Sequence, residues 1–185
     1  SDLGLETLME GVLLHEIMHT HQAELASAAA DAMHADAPQN VSDDHVQSLF
    51  DKNPDYIAAY EKERDLLFAA AGAADAGEAR RLAAEAPDLM RSRRARWFAD
   101  DKAWLGDLDD IFLTMEGMGQ WLAYRHWVAT SGEVLARAET RDNGRHWTQD
   151  EGFALILLVD RLLPDWQTRA FREPDWRAEK LFAAA

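Results

Sequence analysis

The chain has no cysteine, which excludes disulfide frameworks, Cys-ligated zinc modules, iron–sulfur centres and thiol catalysis. Any metal must therefore sit on histidine and carboxylate. Proline and glycine are sparse, five and ten in 185 residues, too little punctuation for a fold of many short strands and turns. Positive charge is scarce as well: 19 Lys+Arg stand against 34 Asp+Glu, a formal net charge of −15. A nucleic-acid binder gains affinity by neutralising phosphates, so this balance argues against nucleic acid as a partner. No apolar run approaches the roughly 20 residues that cross a bilayer, and no basic stretch followed by an apolar one marks a signal, so no membrane span is expected. The chain opens at Ser1 with helical patterning almost at once, which reads as a processed or truncated product. Missing cysteine leaves the compartment open; we read the chain as soluble, with an extracytoplasmic location favoured over the cytoplasm.

What is present is one domain's worth of chain, 48% hydrophobic, long enough over residues 1–185 for a sizeable core. The segments between the few glycines and prolines repeat with helical period, so the expected fold class is all-α. A first helix is expected over residues 5–33, and a linker ending at Pro38-Gln39-Asn40 follows it. Ser42 is the expected N-cap of the next run, with Asp43 and Asp44 in its first turn; that run breaks at Asn53-Pro54 and resumes to Gly72. Short outer helices are expected over residues 75–85 and from Asp88 into Arg91, Arg93, Arg94 and Arg96, with the arginines on a solvated face. A long helix over residues 105–130 carries Leu108, Ile111, Phe112, Met115, Leu122 and Trp127 at three- and four-residue steps. Thr148-Gln149-Asp150-Glu151 fits a capping box opening a buried helix over residues 153–163. Pro164 and Pro174 punctuate a last helical stretch.

One segment points to chemistry. His15-Glu16-Ile17-Met18-His19 is an H-E-x-x-H motif inside the first helix; histidines at i and i+4 share a face one turn apart, so both imidazoles can converge on one cation while Glu16 points beside it at a water. The flanking residues are apolar around most of the helix circumference, as in a helix buried on several sides. An ionised Glu16 there would need a compensating charge, yet the first 51 residues hold ten carboxylates and the first Lys or Arg is Lys52. A divalent cation meets that need. The competing interpretation makes His15 and His19 ordinary core histidines and pairs Glu16 with a distant arginine.

A catalytic zinc takes three protein ligands and leaves a fourth position open. Glu116, in Met115-Glu116-Gly117-Met118-Gly119-Gln120-Trp121, is the best third ligand: a carboxylate within the apolar stripe of the long helix. Two glycines in a helix interior cost roughly 1 kcal/mol each relative to Ala, which suggests close approach of another backbone, expected to be the His15/His19 helix. Asp109 and Asp110 are weaker candidates, near a helix start where acids are favoured anyway.

Together, His15-Glu16-x-x-His19 and the later Glu116-Gly-x-Gly-x-Trp121 resemble the gluzincin zinc metallopeptidases of the peptidase MA group. The resemblance covers the two motif helices. It implies Zn2+ on His15, His19 and Glu116, Glu16 as general base, and hydrolysis of peptide or protein substrates by metal-activated water. Two features depart from the pattern. Gln120 stands where many gluzincins carry an Asp four residues after the third ligand; it can bond a ligand histidine but brings no charge. Only fourteen residues precede His15, whereas gluzincins place a substrate-aligning sheet there. The chain is thus expected to be a helical zincin-like domain, the C-terminal helical half of a larger gluzincin, with weak activity alone and an upstream segment or partner chain covering the motif helix.

Gluzincins also place a downstream His or Tyr against the scissile carbonyl; the candidates are His146, in a loop before a helix, and then Tyr124. His126 is read as packing, His21 and His34 as solvent-facing or late-helix residues, and the seven tryptophans as core. A catalytically inactive metal-binding or protein-interaction domain is the alternative. A di-iron carboxylate bundle is a third reading, since Glu16-x-x-His19 is also a Glu-x-x-His step, but no second such pair accompanies Glu116.

Overall fold

The computed structural model describes residues 1–32, 41–172 and 177–185, and the side chains of all of these except 28–32. Every regular element among them is helical. The order is α1 (Leu5–His21), α2 (Ala23–Ala32), α3 (His45–Phe50), α4 (Pro54–Ala71), α5 (Ala76–Ala83), α6 (Ala86–Trp97), α7 (Leu105–Ser131), α8 (Glu133–Arg141), α9 (Trp147–Leu162), α10 (Trp166–Arg172) and α11 (Ala178–Ala184). Short 3-10 turns at Asp100–Lys102 and Asp142–Gly144 join neighbours. His34, Pro38-Gln39-Asn40, Pro174 and Trp176 lie outside the described residues.

The body is organised around α7 and α9, which pack on each other more extensively than any other pair. From Phe153 to Ile156 α9 has no exposed side, as its unbroken apolar run dictates. Glycine sets how close the two helices come: a Cβ on Gly117 would run into the Gly152 carbonyl, and one on Gly152 would stand 2.6 Å from the Leu113 carbonyl oxygen. α4 covers another side of α9, while α1 rests chiefly on α7. Gly11 makes room there for the Trp127 indole, whose Nε1 donates to the Thr7 carbonyl at 2.8 Å. An aromatic cluster of Phe50, Tyr56, Tyr60, Phe98 and Trp104 fills the space between α3, α4 and the start of α7. The described tryptophans belong to these cores.

Several local expectations are corrected. The first helix is not continuous: it breaks at Gln22, whose backbone N–H bonds back to the His19 carbonyl while its buried side chain turns toward α7. Asp44, not Ser42, precedes α3, and no side chain caps that end. Asn53 does cap α4, accepting from the amides of Asp55 and Tyr56 at 3.1 Å, with Pro54 in the first turn. Thr148 and Glu151 form no capping box, because α9 already begins at Trp147. The Thr148 hydroxyl donates instead to the Asp43 carbonyl at 2.7 Å, and Glu151 pairs with Arg93.

The arginine cluster is corrected at Arg93 and Arg94, whereas Arg91 and Arg96 are exposed as expected. Arg93 is 2% exposed. Its Nε donates to Glu63 at 2.8 Å, one Nη to the Tyr56 hydroxyl at 2.8 Å, and the other Nη reaches Glu151 at 3.0 Å and Asp109 at 3.4 Å. Arg94 bonds Asp109 at 3.0 Å and Glu179 at 2.8 Å. Asp109 is thereby committed to guanidinium, and Asp110 to Arg177 at 3.2 Å; neither joins the histidines. Burial and the neighbouring Glu63 and Asp109 hold the Glu151 carboxyl well above the usual carboxylate range, against the pull of Arg93.

Candidate metal centre

α1 delivers both histidines from one face. Its buried positions are Gly11, His15 and Met18, followed past the helix end by Gln22, spacings of three and four that keep one side on α7. The motif helix is therefore buried on one side only, not on several. Leu5, Met9, Leu13 and Ile17, each four residues on, form an outward apolar ridge, with Leu5 76% and Leu13 60% exposed. Glu16 lies on this outer side and is exposed. It needs no buried counter-charge, so the acid that does need one in this region is Glu116, 6% exposed on α7.

The three expected ligands converge. His15 Nε2 lies 3.2 Å from one Glu116 oxygen, His19 Nε2 lies 3.4 Å from the other, and the two Nε2 atoms are 2.9 Å apart. Tetrahedral zinc with ligands at 2.0–2.1 Å separates its donors by roughly 3.3 Å, so these atoms are spaced as a shared cation would need. Gly119 permits it: a Cβ there would stand 2.8 Å from the His15 ring. The two glycines either side of Met118 thus serve different neighbours, Gly119 facing α1 and Gly117 facing α9.

The protonation pattern matters more than the spacing. The side-chain amide nitrogen of Gln22 donates toward Met118 Sδ at 3.3 Å and the Thr114 carbonyl at 3.5 Å, which turns Gln22 Oε1 toward His19 Nδ1 at 3.1 Å. That nitrogen must then carry the proton, and a neutral His19 presents a lone pair at Nε2. In that tautomer Nε2 faces a carboxylate oxygen and a second imidazole, so electron pairs converge there unless a further proton or a cation lies between them. A cation satisfies all three donors at once. Two neutral imidazoles and a carboxylate form a ligand set that zinc takes in catalytic sites. No Lys or Arg among the described residues pairs with Glu116. Among those residues no second group of metal-ligating side chains converges, which leaves the di-iron reading without its other half.

Outer partners come from elements that periodicity does not connect. Gln149, in the first turn of α9, donates to Glu116 Oε2 at 3.2 Å, and Gln120 donates to Gln149 Oε1 at 2.7 Å. Gln120 thus serves the carboxylate through Gln149 rather than bonding a histidine. Asp43 approaches the same region: burial, then Glu116 and Asp44, push its carboxyl up. Sequence reasoning missed Gln22, Gln149 and Asp43, since nothing in their local pattern links them to the long helix, where Gln149 meets Glu116 from 33 positions away and Gln22 meets Met118 from 96.

The two downstream candidates are not brought to the ligands by any hydrogen bond or ion pair among the described residues. His146 precedes α9 with its Nδ1 3.7 Å from Asp44. Tyr124 is buried against Phe153, ring centroids 5.0 Å apart, and burial raises its phenol, with Arg137 and Glu133 also acting on it. His126 is no packing residue: it pairs with Glu10 at 3.0 Å. His21 is exposed, as expected. No helix among the described residues is long and apolar enough to cross a membrane. Comparison with protein-family models, with curated proteins and with solved structures finds no match to this chain.

Proposed function

We propose that the chain is a zinc peptidase domain in which His15, His19 and Glu116 hold the ion and Glu16 is the general base. The observation that carries this reading is the convergence of His15 Nε2, His19 Nε2 and the buried Glu116 carboxylate, with His19 oriented through Nδ1 by Gln22. Zinc in such a site is a Lewis acid toward water and a substrate carbonyl. Glu16 follows His15 on the helix, about 100° round from it and about 60° from His19, so its carboxylate flanks the ligand face from the solvent side. There it takes the proton of the attacking water as the new C–O bond forms, and gives it to the amine as the C–N bond breaks. His146, half-buried beside Asp44, is assigned to the scissile carbonyl; Tyr124 is assigned to packing. The substrate is a peptide or protein.

The test combines elemental analysis with kinetics. One zinc per chain and chelator-sensitive hydrolysis of casein are expected, and Glu16→Gln should retain zinc while losing about 10²–10⁴ in rate, the usual worth of a general base. No stoichiometric metal, iron in place of zinc, or full activity in Glu16→Gln would overturn the reading. Zinc bound without any hydrolysis would favour a metal-binding interaction domain, for which the exposed ridge of α1 is the supporting observation.

A further inference from the structure

Glu116 is gripped from two sides. The histidines approach from α1, whereas the hydrogen bond that fixes the carboxylate comes from α9. Gln120 lies one helical turn beyond Glu116 on the same face of α7, and its amide nitrogen donates to Gln149 Oε1 at 2.7 Å. With that oxygen occupied, the NH2 end of Gln149 must face Glu116, and it donates to Oε2 at 3.2 Å. The first turn of α9 is itself held in place: the Thr148 hydroxyl bonds the Asp43 carbonyl at 2.7 Å, and the Trp147 amide bonds Gln47 Oε1 at 3.0 Å.

We propose that Gln149, oriented by Gln120, is the positioning residue of the metal centre: by bonding Glu116 Oε2, the oxygen 3.2 Å from His15 Nε2, it fixes the rotation of the carboxylate that faces both histidines. The proposal rests on the metal reading above. A neutral amide suits the task because it occupies one oxygen without neutralising the charge. A Lys or Arg in its place would compete with a cation for the carboxylate, and an apolar residue would leave the carboxylate free to rotate away from the histidines. Outer-sphere groups of this kind are typically worth 10–100-fold in metal affinity. The same contact ties α9 to a site whose histidines lie on α1.

The test uses the full chain as wild type, Gln149→Met and Gln120→Met. Zinc affinity is measured by chelator competition, the coordination of substituted Co(II) by its visible absorption, and folding by the thermal midpoint without metal. The expected result is a 10–100-fold weaker zinc affinity in Gln149→Met, with cobalt bands that shift in position and intensity as the carboxylate turns. Gln120→Met should shift both readouts in the same direction and by less. Should Gln149→Met fail to fold, the part-exposed Gln120 position decides the question. Wild-type affinity and an unchanged cobalt spectrum in the variants overturn the proposal, as does a loss of affinity that merely follows a lower thermal midpoint with the spectrum unchanged. A wild-type chain that binds no zinc removes the metal reading as well, so the two failures are distinct.

Discussion

Two clusters of buried acid in this molecule solve the same problem in opposite ways. Around Arg93, the acids Glu63, Asp109 and Glu151 from α4, α7 and α9 meet a guanidinium carried by α6, and five donor contacts close the cluster on itself. Around Glu116 the chain provides two imidazoles and an amide, with no fixed positive charge among the described residues. The first cluster carries its own fixed positive charges, Arg93 with Arg94, even though burial and the neighbouring acids push Glu151 within it toward its protonated form. The second has no such charge among the described residues and is complete only with a proton or a cation, and that difference separates a structural network from a binding site better than burial does, since the acids of both clusters are buried.

The comparison breaks most sharply if each centre is dismantled in turn. His19→Ala should abolish stoichiometric zinc binding, read by elemental analysis, while leaving the metal-free thermal midpoint close to wild type. Arg93→Met should do the reverse. Removing one partner of a buried ionic network typically costs about 3–5 kcal/mol, so denaturant unfolding should show a large loss of stability in a chain that, while folded, still takes up zinc. Equal effects of both substitutions on both readouts would mean that the two clusters are not separable.

Asp110 is the intermediate case. Its cation, Arg177, is partly exposed, and burial, then Glu179, push its carboxyl up to about 6, against Arg177 and Arg94. A carboxyl raised in the folded state keeps a proton that the unfolded chain releases near 3.8. Its contribution is therefore full below pH 4 and lost as pH rises through about 6, on the order of 2–3 kcal/mol in all. Asp110→Asn should flatten the fall in stability between pH 4 and 6; an unchanged pH profile would show that Asp110 does not titrate there.

The smallest expected effect is at Gly119. Alanine gains up to about 1 kcal/mol in helix propensity, but its Cβ would press on the His15 ring. Stability should stay nearly constant while zinc affinity falls about tenfold. At Gly117 the same change meets the Gly152 backbone, so overpacking should cost about 1–3 kcal/mol of stability. If Gly117→Ala proved harmless, the close approach of α7 and α9 would be in question.

What could be read from sequence follows the reach of each rule. His15 and His19 share a face because helix period is local, and Glu116 stands out because an acid in an apolar stripe is anomalous wherever the stripe packs. Arg93 was illegible: within its own helix it sits in a run of polar residues, and its burial depends on acids up to 58 positions away. Thr148-x-x-Glu151 matched a local pattern, yet long-range partners claimed both side chains. The exposed side of α1 was equally hidden, since an apolar residue does not announce whether anything covers it.

The way α1 lies on the body has a consequence for exchange. α1 rests chiefly on α7 and shows its ridge to water, so it is the segment best placed to detach while α4, α7 and α9 stay folded, a local opening of the kind that hydrogen exchange detects. A cation shared by His15, His19 and Glu116 would fasten that flap to the body. At a free concentration 1,000 times its dissociation constant it would add about 4 kcal/mol to the opening free energy, slowing amide exchange along α1 roughly a thousandfold. Release of the ion and lifting of the first helix then become one event, and the residence time of the metal is set by how often α1 peels away rather than by the stability of the whole fold.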